Sequence, residues 1–494
     1  MITSVCDFLD NTCSLYPDKI AFVKDDRNIS YLEFNISSKK VASKILEYDV
    51  SRKPVLIILS KSIECLVSFL GVARSGNFYT LIDENTPKER ILKIVETLKP
   101  SVLITSKENK LDFLNLHAIF CEDFEDFGID ENKLKIAKEN QIDTDLLYVF
   151  FTSGSTGIPK GVSITHKSVI DYTSWVCETF DITKDEILAN QAPFYFDNSI
   201  LDIFSTIKTG ATLHIVPNSL FSFPIKIIEY IKKHKVSFIF WVPSVLIYFA
   251  NTNAFEDVCL PCLKKVLFCG EPMPNKQLNI LRRCLKDTIF ANLYGPTEIT
   301  DVCSYYICDR EFRDDDILPI GRACKNMQLL VFDDDMSLID NNNTQSKGEL
   351  YVRGTGLSVG YYGDKEKTNK AFIQNPLHDN YEDKIYKTGD IVKYNEHGEL
   401  LCLGRSDGQI KVLGHRVELG EIESIINSHK DILNCACVFL DDKIHCFYES
   451  DKDINIKEFL KDKLPVYMIP RKYIKLDGFR YNQNGKIDRQ HLGV

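Results

Sequence analysis

Residues 152 to 161 read Thr-Ser-Gly-Ser-Thr-Gly-Ile-Pro-Lys-Gly, a run suited to holding an anion. Gly154 and Gly157 let backbone N–H groups turn toward a negative charge. The hydroxyls of Thr152, Ser153, Ser155 and Thr156 can donate further hydrogen bonds, and Lys160 adds a cation. Such a loop holds phosphate. The spacing Gly-x-x-x-x-Gly-Lys-Ser/Thr cannot be fitted to it, which disfavours kinases and motor NTPases. A polar surface turn would need no such concentration of hydroxyls and glycines directly after an apolar strand. Other residues able to do chemistry are ordinary by local context. Asp197 fits a helix cap or turn, Asp390 and Arg405 fit turn and surface positions, and Lys486, eight residues from Val494, fits a solvated charge.

The elements that position these residues alternate. The apolar run from Leu146 to Phe151 reads as a strand, the glycine-rich loop follows, and Val169, Tyr172, Trp175 and Val176 mark a helix from Ser168 to Phe180. Strand, loop and helix in that order predict an α/β sheet with a ligand at the strand's carboxyl end. Residues Ile20 to Tyr31 read as two short strands about a polar turn, followed by a helix carrying Leu32, Ile36, Val41, Ile45 and Leu46. From Gly348 onward, short alternating strands and glycines predict a small β-rich subdomain. After Gly404 to Gly408 comes the alternation of Ile410 and Val412, then a helix with Leu419, Ile422, Ile425 and Ile426 on one face, which places a domain boundary near Asp407.

A chain of 494 residues exceeds one ordinary hydrophobic core, and 44% apolar with 26% charged residues is the composition of a globular protein. The net charge of −10, with no basic tract, argues against a nucleic-acid partner. The segment Val236 to Ala250 is too short for a bilayer span and is interrupted by Pro243, so it reads as core and no membrane insertion is expected. Asp7 and Asp10 fall where a signal peptide would be apolar, so a cytoplasmic protein with reduced cysteines is expected. The pair Cys259 and Cys262 has no second pair or histidine cluster at zinc spacing.

The loop, taken with Gly76 to Arg90, Asn292-Leu293-Tyr294-Gly295-Pro296-Thr297-Glu298, Tyr386 to Asp390, Gly404 to Glu423 and Asn484 to Arg489, resembles the adenylate-forming superfamily across nearly the whole chain and in the family's order. The resemblance implies a large α/β N-terminal domain of several subdomains with a small β-barrel (1–406), and a small mobile α+β lid domain (407–494) hinged at Asp407. It implies ATP and Mg²⁺ as cofactors. Thr152 to Gly157 and Lys160 would hold phosphate, Tyr294 would lie against adenine, and Asn292, Leu293, Gly295 and Pro296 would line the nucleotide. Thr297 and Glu298 would hold the phosphate and Mg²⁺, Asp390 the ribose hydroxyls, and Arg405 ribose or phosphate. Lys486 would bridge the substrate carboxylate and the α-phosphate. An aromatic face suits a purine, a carboxylate suits a hard cation, and attack of one anion on another calls for a lysine.

The segment Asn190 to Ser199 separates the subfamilies. In amino-acid adenylating members an aspartate at the Asp197 position pairs with the substrate ammonium, and a buried carboxylate is costly without such a partner. Asn190 to Asp197 and Leu267 to Glu271 most resemble the D-alanine:D-alanyl carrier protein ligases, in which a cysteine at the Cys269 position lines a small pocket. Asp301 departs from their small apolar residue. Either it points away, or the substrate side chain carries a hydroxyl or amine. D-Alanine is the leading substrate, with a polar amino acid such as serine as the alternative. The chain ends without a carrier domain, so the expected acceptor is phosphopantetheine on a separate carrier protein, with coenzyme A second. The runner-up enzyme is an acyl- or aryl-CoA ligase, against which Asp197 argues. A catalytically dead scaffold is disfavoured by the intact Lys160, Glu298, Asp390, Arg405 and Lys486.

Overall fold

The computed structural model describes residues 2–154, 158–256, 258–405 and 409–480, together with 487, 489 and 492. The chain forms two compact units, one of residues 1–84, 99–150 and 162–406, the other of residues 85–98, 151–161 and 407–494.

Hydrophobic patterning dictates the first unit. The fully buried strands Pro54–Ile58 and Phe78–Ile82 are apolar almost without a break, as strands covered on both faces must be. They lie within a six-stranded sheet ordered His117–Phe120, Val102–Thr105, Pro54–Ile58, Phe78–Ile82, Leu146–Thr152, Lys160–Thr165. A nine-stranded sheet runs Arg322–Ala323, Ser304–Ile307, Ile289–Tyr294, Lys265–Phe268, Phe238–Trp241, Ile187–Asn190, Thr212–Ile215, Ile20–Lys24, Arg27–Ser30. Its interior pairs are parallel, so the carboxyl ends of Ile187–Asn190, Phe238–Trp241, Lys265–Phe268 and Ile289–Tyr294 share one edge. The hairpin read at Ile20 to Tyr31 forms its outer border, and the helix after it begins at a capping box in which Ser30 and Glu33 satisfy each other's backbone N–H groups.

The β-rich stretch is a five-stranded antiparallel sheet of Met327–Phe332, Lys347–Gly354, Lys384–Tyr394 and Phe372–Gln374, with Leu400–Arg405 also paired to Lys384–Tyr394. Val236 to Ala250 is core, split into the strand Phe238–Trp241 and the helix Pro243–Asn251. All sixteen cysteines are free thiols. Among the described residues no helix is long and apolar enough to cross a membrane.

In the second unit, the hairpin Gln409–Val412 and His415–Glu418 leads into the helix Leu419–Asn427. That helix buries Leu419, Ile422 and Ile426 against Cys435, Cys437 and Cys446 of a three-stranded sheet formed by Asn434–Leu440, Lys443–Glu449 and Lys472–Lys475. Asp407, the expected hinge, lies outside the described residues.

One buried group of the first unit makes stability depend on pH. His166 is fully buried at the start of the helix His166–Thr179, with the Val5 N–H on Nδ1 at 3.3 Å and Gln141 at 3.1 Å from Nε2. Burial lowers its pKa to about 4. The unfolded histidine, near 6.5, therefore binds a proton that the folded one refuses. The folded state should lose about 3 kcal/mol as pH falls from about 6.5 to about 4. Urea unfolding at pH 7.5 and pH 4.5 measures this, and His166→Gln should flatten the difference.

Candidate active site

In the first unit, the strand Ile289–Tyr294 carries Asn292, Leu293 and Tyr294 to the shared sheet edge. Asn292 donates through Nδ2 to the Pro319 carbonyl at 2.8 Å, and Leu293 packs into the core. The Tyr294 hydroxyl donates to Asp390 Oδ2, and Arg405 Nη1 donates to Asp390 Oδ1 at 3.0 Å, across the register pair Asp390 and Arg405. Burial and then the Asp390 charge push the Tyr294 phenol well up, so it remains a donor. The carboxylate is thereby fixed by one hydroxyl and one guanidinium, a suitable acceptor for a diol.

Beyond Tyr294 the chain folds back on itself. Gly295 is obligatory here, because a Cβ would lie 2.2 Å from the Asp301 carbonyl oxygen. The short helix Thr297–Ile299 follows, then Thr300 and Asp301 at φ values of 60° and 71°. Thr300 Oγ1 donates to the Gly356 carbonyl at 2.7 Å, closing the turn. Glu298 is fully buried, and the Tyr361 hydroxyl donates to its Oε1 at 2.7 Å. Among the described residues no three His, Cys, Asp or Glu side chains group into a metal cage. A buried carboxylate such as Glu298 instead fits Mg²⁺ as it is usually held, by one or two protein oxygens with the remainder from phosphate and water.

Three sequence-chosen residues fall together in the same unit. Asp197 is buried at the N-cap of the helix Asn198–Thr209, where its Oδ1 accepts the Asn198 N–H at 3.1 Å. Cys269 follows the strand Lys265–Phe268 and is buried. Asp301 is buried and accepts a 2.6 Å hydrogen bond on Oδ2 from the hydroxyl of Tyr172, on the helix His166–Thr179. That helix packs on the one Asp197 caps. Burial and then Asp301, Cys269 and Cys324 hold the Tyr172 phenol well up. The Tyr148 phenol is raised by burial and then by Asp197, Tyr79 and Asp301. Both aspartates thus lie within electrostatic reach of one buried tyrosine, whose hydroxyl has no hydrogen-bond partner.

The described flanks of the glycine-rich loop belong to the second unit. Gly154 approaches the Ile158 carbonyl so closely that a Cβ would sit 2.1 Å from it. The Thr152 hydroxyl is buried with no hydrogen-bond partner, an orphan of the kind a ligand completes. Ser153 Oγ donates to the Arg416 carbonyl at 2.9 Å and accepts the Glu418 N–H at 3.1 Å. Gly154 donates its N–H to Glu421 Oε2 at 3.1 Å, and Lys160 Nζ stands 3.4 Å from Glu418 Oε1. Glu421 is also paired with Arg90 at 2.5 Å, both side chains being under 10% exposed. Glu421→Ala should cost about 3 to 5 kcal/mol, because it strands a buried guanidinium. Thermal unfolding of the variant checks this. Ser155, Thr156, Gly157 and Lys486 lie outside the described residues.

Sequence reasoning passed over Tyr148, Tyr172 and Tyr361, and left Arg90, Glu418 and Glu421 inside matched segments without roles. Only three-dimensional pairing distinguishes them.

Residues 9–362 match the family described as AMP-binding enzyme. The chain belongs to that family. Zwittermicin A synthase ZmaJ of Bacillus cereus is 32% identical over 97% of this chain and 92% of its own length. The D-alanine--D-alanyl carrier protein ligase of Bacillus velezensis is 33% identical over 97% of this chain and 96% of its own. The crystal structure of IdnL1 superposes with a TM-score of 0.84 at 23% identity, covering 97% of this chain and 99% of that one, a likeness of fold. As a member of the AMP-binding enzyme family, the chain is an ATP-dependent, AMP-forming ligase.

Proposed function

We propose that the enzyme activates a small amino acid, D-alanine or a similarly small polar one such as serine, and passes it to the phosphopantetheine thiol of a carrier protein. The observation that carries this reading is Asp197. It is a buried carboxylate at the N-cap of the helix Asn198–Thr209, and it suits an α-ammonium and no plain fatty or aryl acid. The D-alanyl carrier protein ligases, matched over 96% of their own length, support a carrier as acceptor.

In the first half-reaction a carboxylate oxygen of the amino acid attacks the α-phosphorus of ATP, and the bond to pyrophosphate breaks. Lys486 neutralises the approaching anions. Asp390 takes the ribose hydroxyls, Tyr294 faces adenine, and Arg405 reaches ribose or phosphate. Thr152 to Gly157 and Lys160 hold the phosphates, and Glu298 with Thr297 would hold Mg²⁺, which would offset phosphate charge. In the second half-reaction a thiolate attacks the acyl carbon and AMP leaves, which gives the thioester. The lid domain 407–494, hinged at Asp407, brings Lys486 to the first step.

Amino-acid-dependent pyrophosphate exchange, followed by loading of a phosphopantetheinylated carrier against coenzyme A, tests this reading. Hydroxamate formation with plain fatty or aryl acids but with no amino acid would replace it with an acyl-CoA ligase.

A further inference from the structure

Resting on the amino-acid reading above, we infer that Lys61 and Asp202 are a pair of positioning residues, which hold the segment of residues 191–197 and thereby set where the Asp197 carboxylate stands. Neither needs to touch the substrate. The segment leaves the strand Ile187–Asn190 at its carboxyl end and returns as the helix Asn198–Thr209, with Asp197 at the N-cap. Its two ends are tied together. Asn190 Nδ2 donates to Asp202 Oδ2 at 2.9 Å, which joins the last residue of the strand to the second turn of the helix. Gln191, the first residue of the segment, is held twice more. Lys61 Nζ donates to its carbonyl at 3.3 Å, and its own Oε1 accepts the Val242 N–H at 3.3 Å.

The charges explain why the two residues act as a pair. Asn190 and Asp202 are fully buried, and the Oδ1 atom of each has no hydrogen-bond partner. A carboxylate in that state calls for a cation nearby. Burial pushes the Asp202 carboxyl up to about 8, opposed by the Asn190 hydrogen bond and then by the Lys61 charge. Burial also brings the Lys61 ammonium down to about 7, opposed by Asp202 and reinforced by Lys24 on the strand Ile20–Lys24. Although Lys61 as a residue is only partly buried, its ammonium is directed onto the Gln191 carbonyl and enclosed there. Each charge is thus costly alone and supported by the other.

The placement of the pair directs its effect to the amino acid. Lys61 lies between the strand Pro54–Ile58 of the six-stranded sheet and the helix Ile63–Arg74, so its bond to Gln191 ties that sheet to the end of a strand in the nine-stranded one. A helix moves as one body, and Asp202 follows Asp197 by roughly one and a half turns. An anchor at Asp202 therefore fixes the cap. Tyr294, Asp390 and Arg405, by contrast, stand on the strands Ile289–Tyr294, Lys384–Tyr394 and Leu400–Arg405, which neither Lys61 nor Asp202 bonds. Release of the pair should shift Asp197 and leave the nucleotide residues where they are, and small displacements of a binding group are costly.

The test is pyrophosphate exchange at varied amino acid and at varied ATP, with Lys61→Met and Asp202→Asn, each neutral and close in size to the residue it replaces. Both variants should raise KM for the amino acid about tenfold, while kcat and KM for ATP stay within about threefold. Lys61→Arg keeps the cation and should restore a KM near that of the wild type. A pair that served folding alone would act differently. It would lower kcat through the loss of active enzyme and leave both KM values unchanged, and that result overturns the inference, as does a rise in KM for ATP equal to that for the amino acid. Should Asp202→Asn fail to fold, Lys61→Met against Lys61→Arg decides, since Lys61 is partly exposed. In each of these failures the wild type still exchanges with an amino acid and the activation reading stands. Exchange with no amino acid in the wild type removes both.

Discussion

Asp197→Asn is expected to lower kcat/KM for the amino acid by about 30- to 1,000-fold, with ATP binding much less affected. The isolating feature is the cap. Asp197 caps the helix Asn198–Thr209 through Oδ1, and asparagine caps a helix about as well, so the fold loses little. What disappears is the buried charge proposed to meet the substrate ammonium. Removing one member of such a pair costs roughly 2 to 4 kcal/mol, and every 1.4 kcal/mol is tenfold. Exchange kinetics at varied amino acid, alongside calorimetric titration with AMP, measure the two arms. An unchanged amino-acid affinity would dissociate Asp197 from the substrate.

Lys486→Ala should reduce adenylate formation by a factor on the order of 10² to 10³ while transfer from preformed adenylate stays within about tenfold. A carboxylate attacking a phosphate brings two anions together, and charge then moves onto the departing pyrophosphate. A cation at that point is needed in the first step and idle in the second, when a thiolate attacks a carbon and AMP leaves. Single-turnover measurements of each half-reaction distinguish the cases, and equal losses in both would contradict the assignment.

Local patterns in the sequence disclosed much of the architecture. The strand before the glycine-rich loop, the hairpin at Ile20 to Tyr31 and the helix bearing Leu419, Ile422 and Ile426 all follow from periodicity and turn chemistry, and the structure has each of them. The helix predicted from Ser168 begins two residues earlier, at His166, because Thr165 supplies its N-cap. Asp197, Glu298 and Asp390 were singled out by the motifs they stand in, and the structure buries all three. The pairings between distant segments were not. Tyr172 with Asp301, Tyr361 with Glu298 and Arg90 with Glu421 join residues 129, 63 and 331 positions apart, and nothing within a helical turn or a strand of either partner signals the other. The grouping of residues 85–98 and 151–161 with the C-terminal unit was hidden for the same reason.

The left-handed backbone at Thr300 and Asp301 has a consequence for how such enzymes can diverge. Aspartate and asparagine tolerate a φ of 71°, whereas a β-branched residue such as valine is a steric outlier there. A branched apolar side chain at this position would therefore add a backbone cost to the one that Thr300, itself β-branched at a φ of 60°, already carries. Accepting such a residue calls for a shift in the turn that Gly295 and Thr300 close. Backbone conformation, as much as side-chain chemistry, sets which residues point mutation can place in this turn.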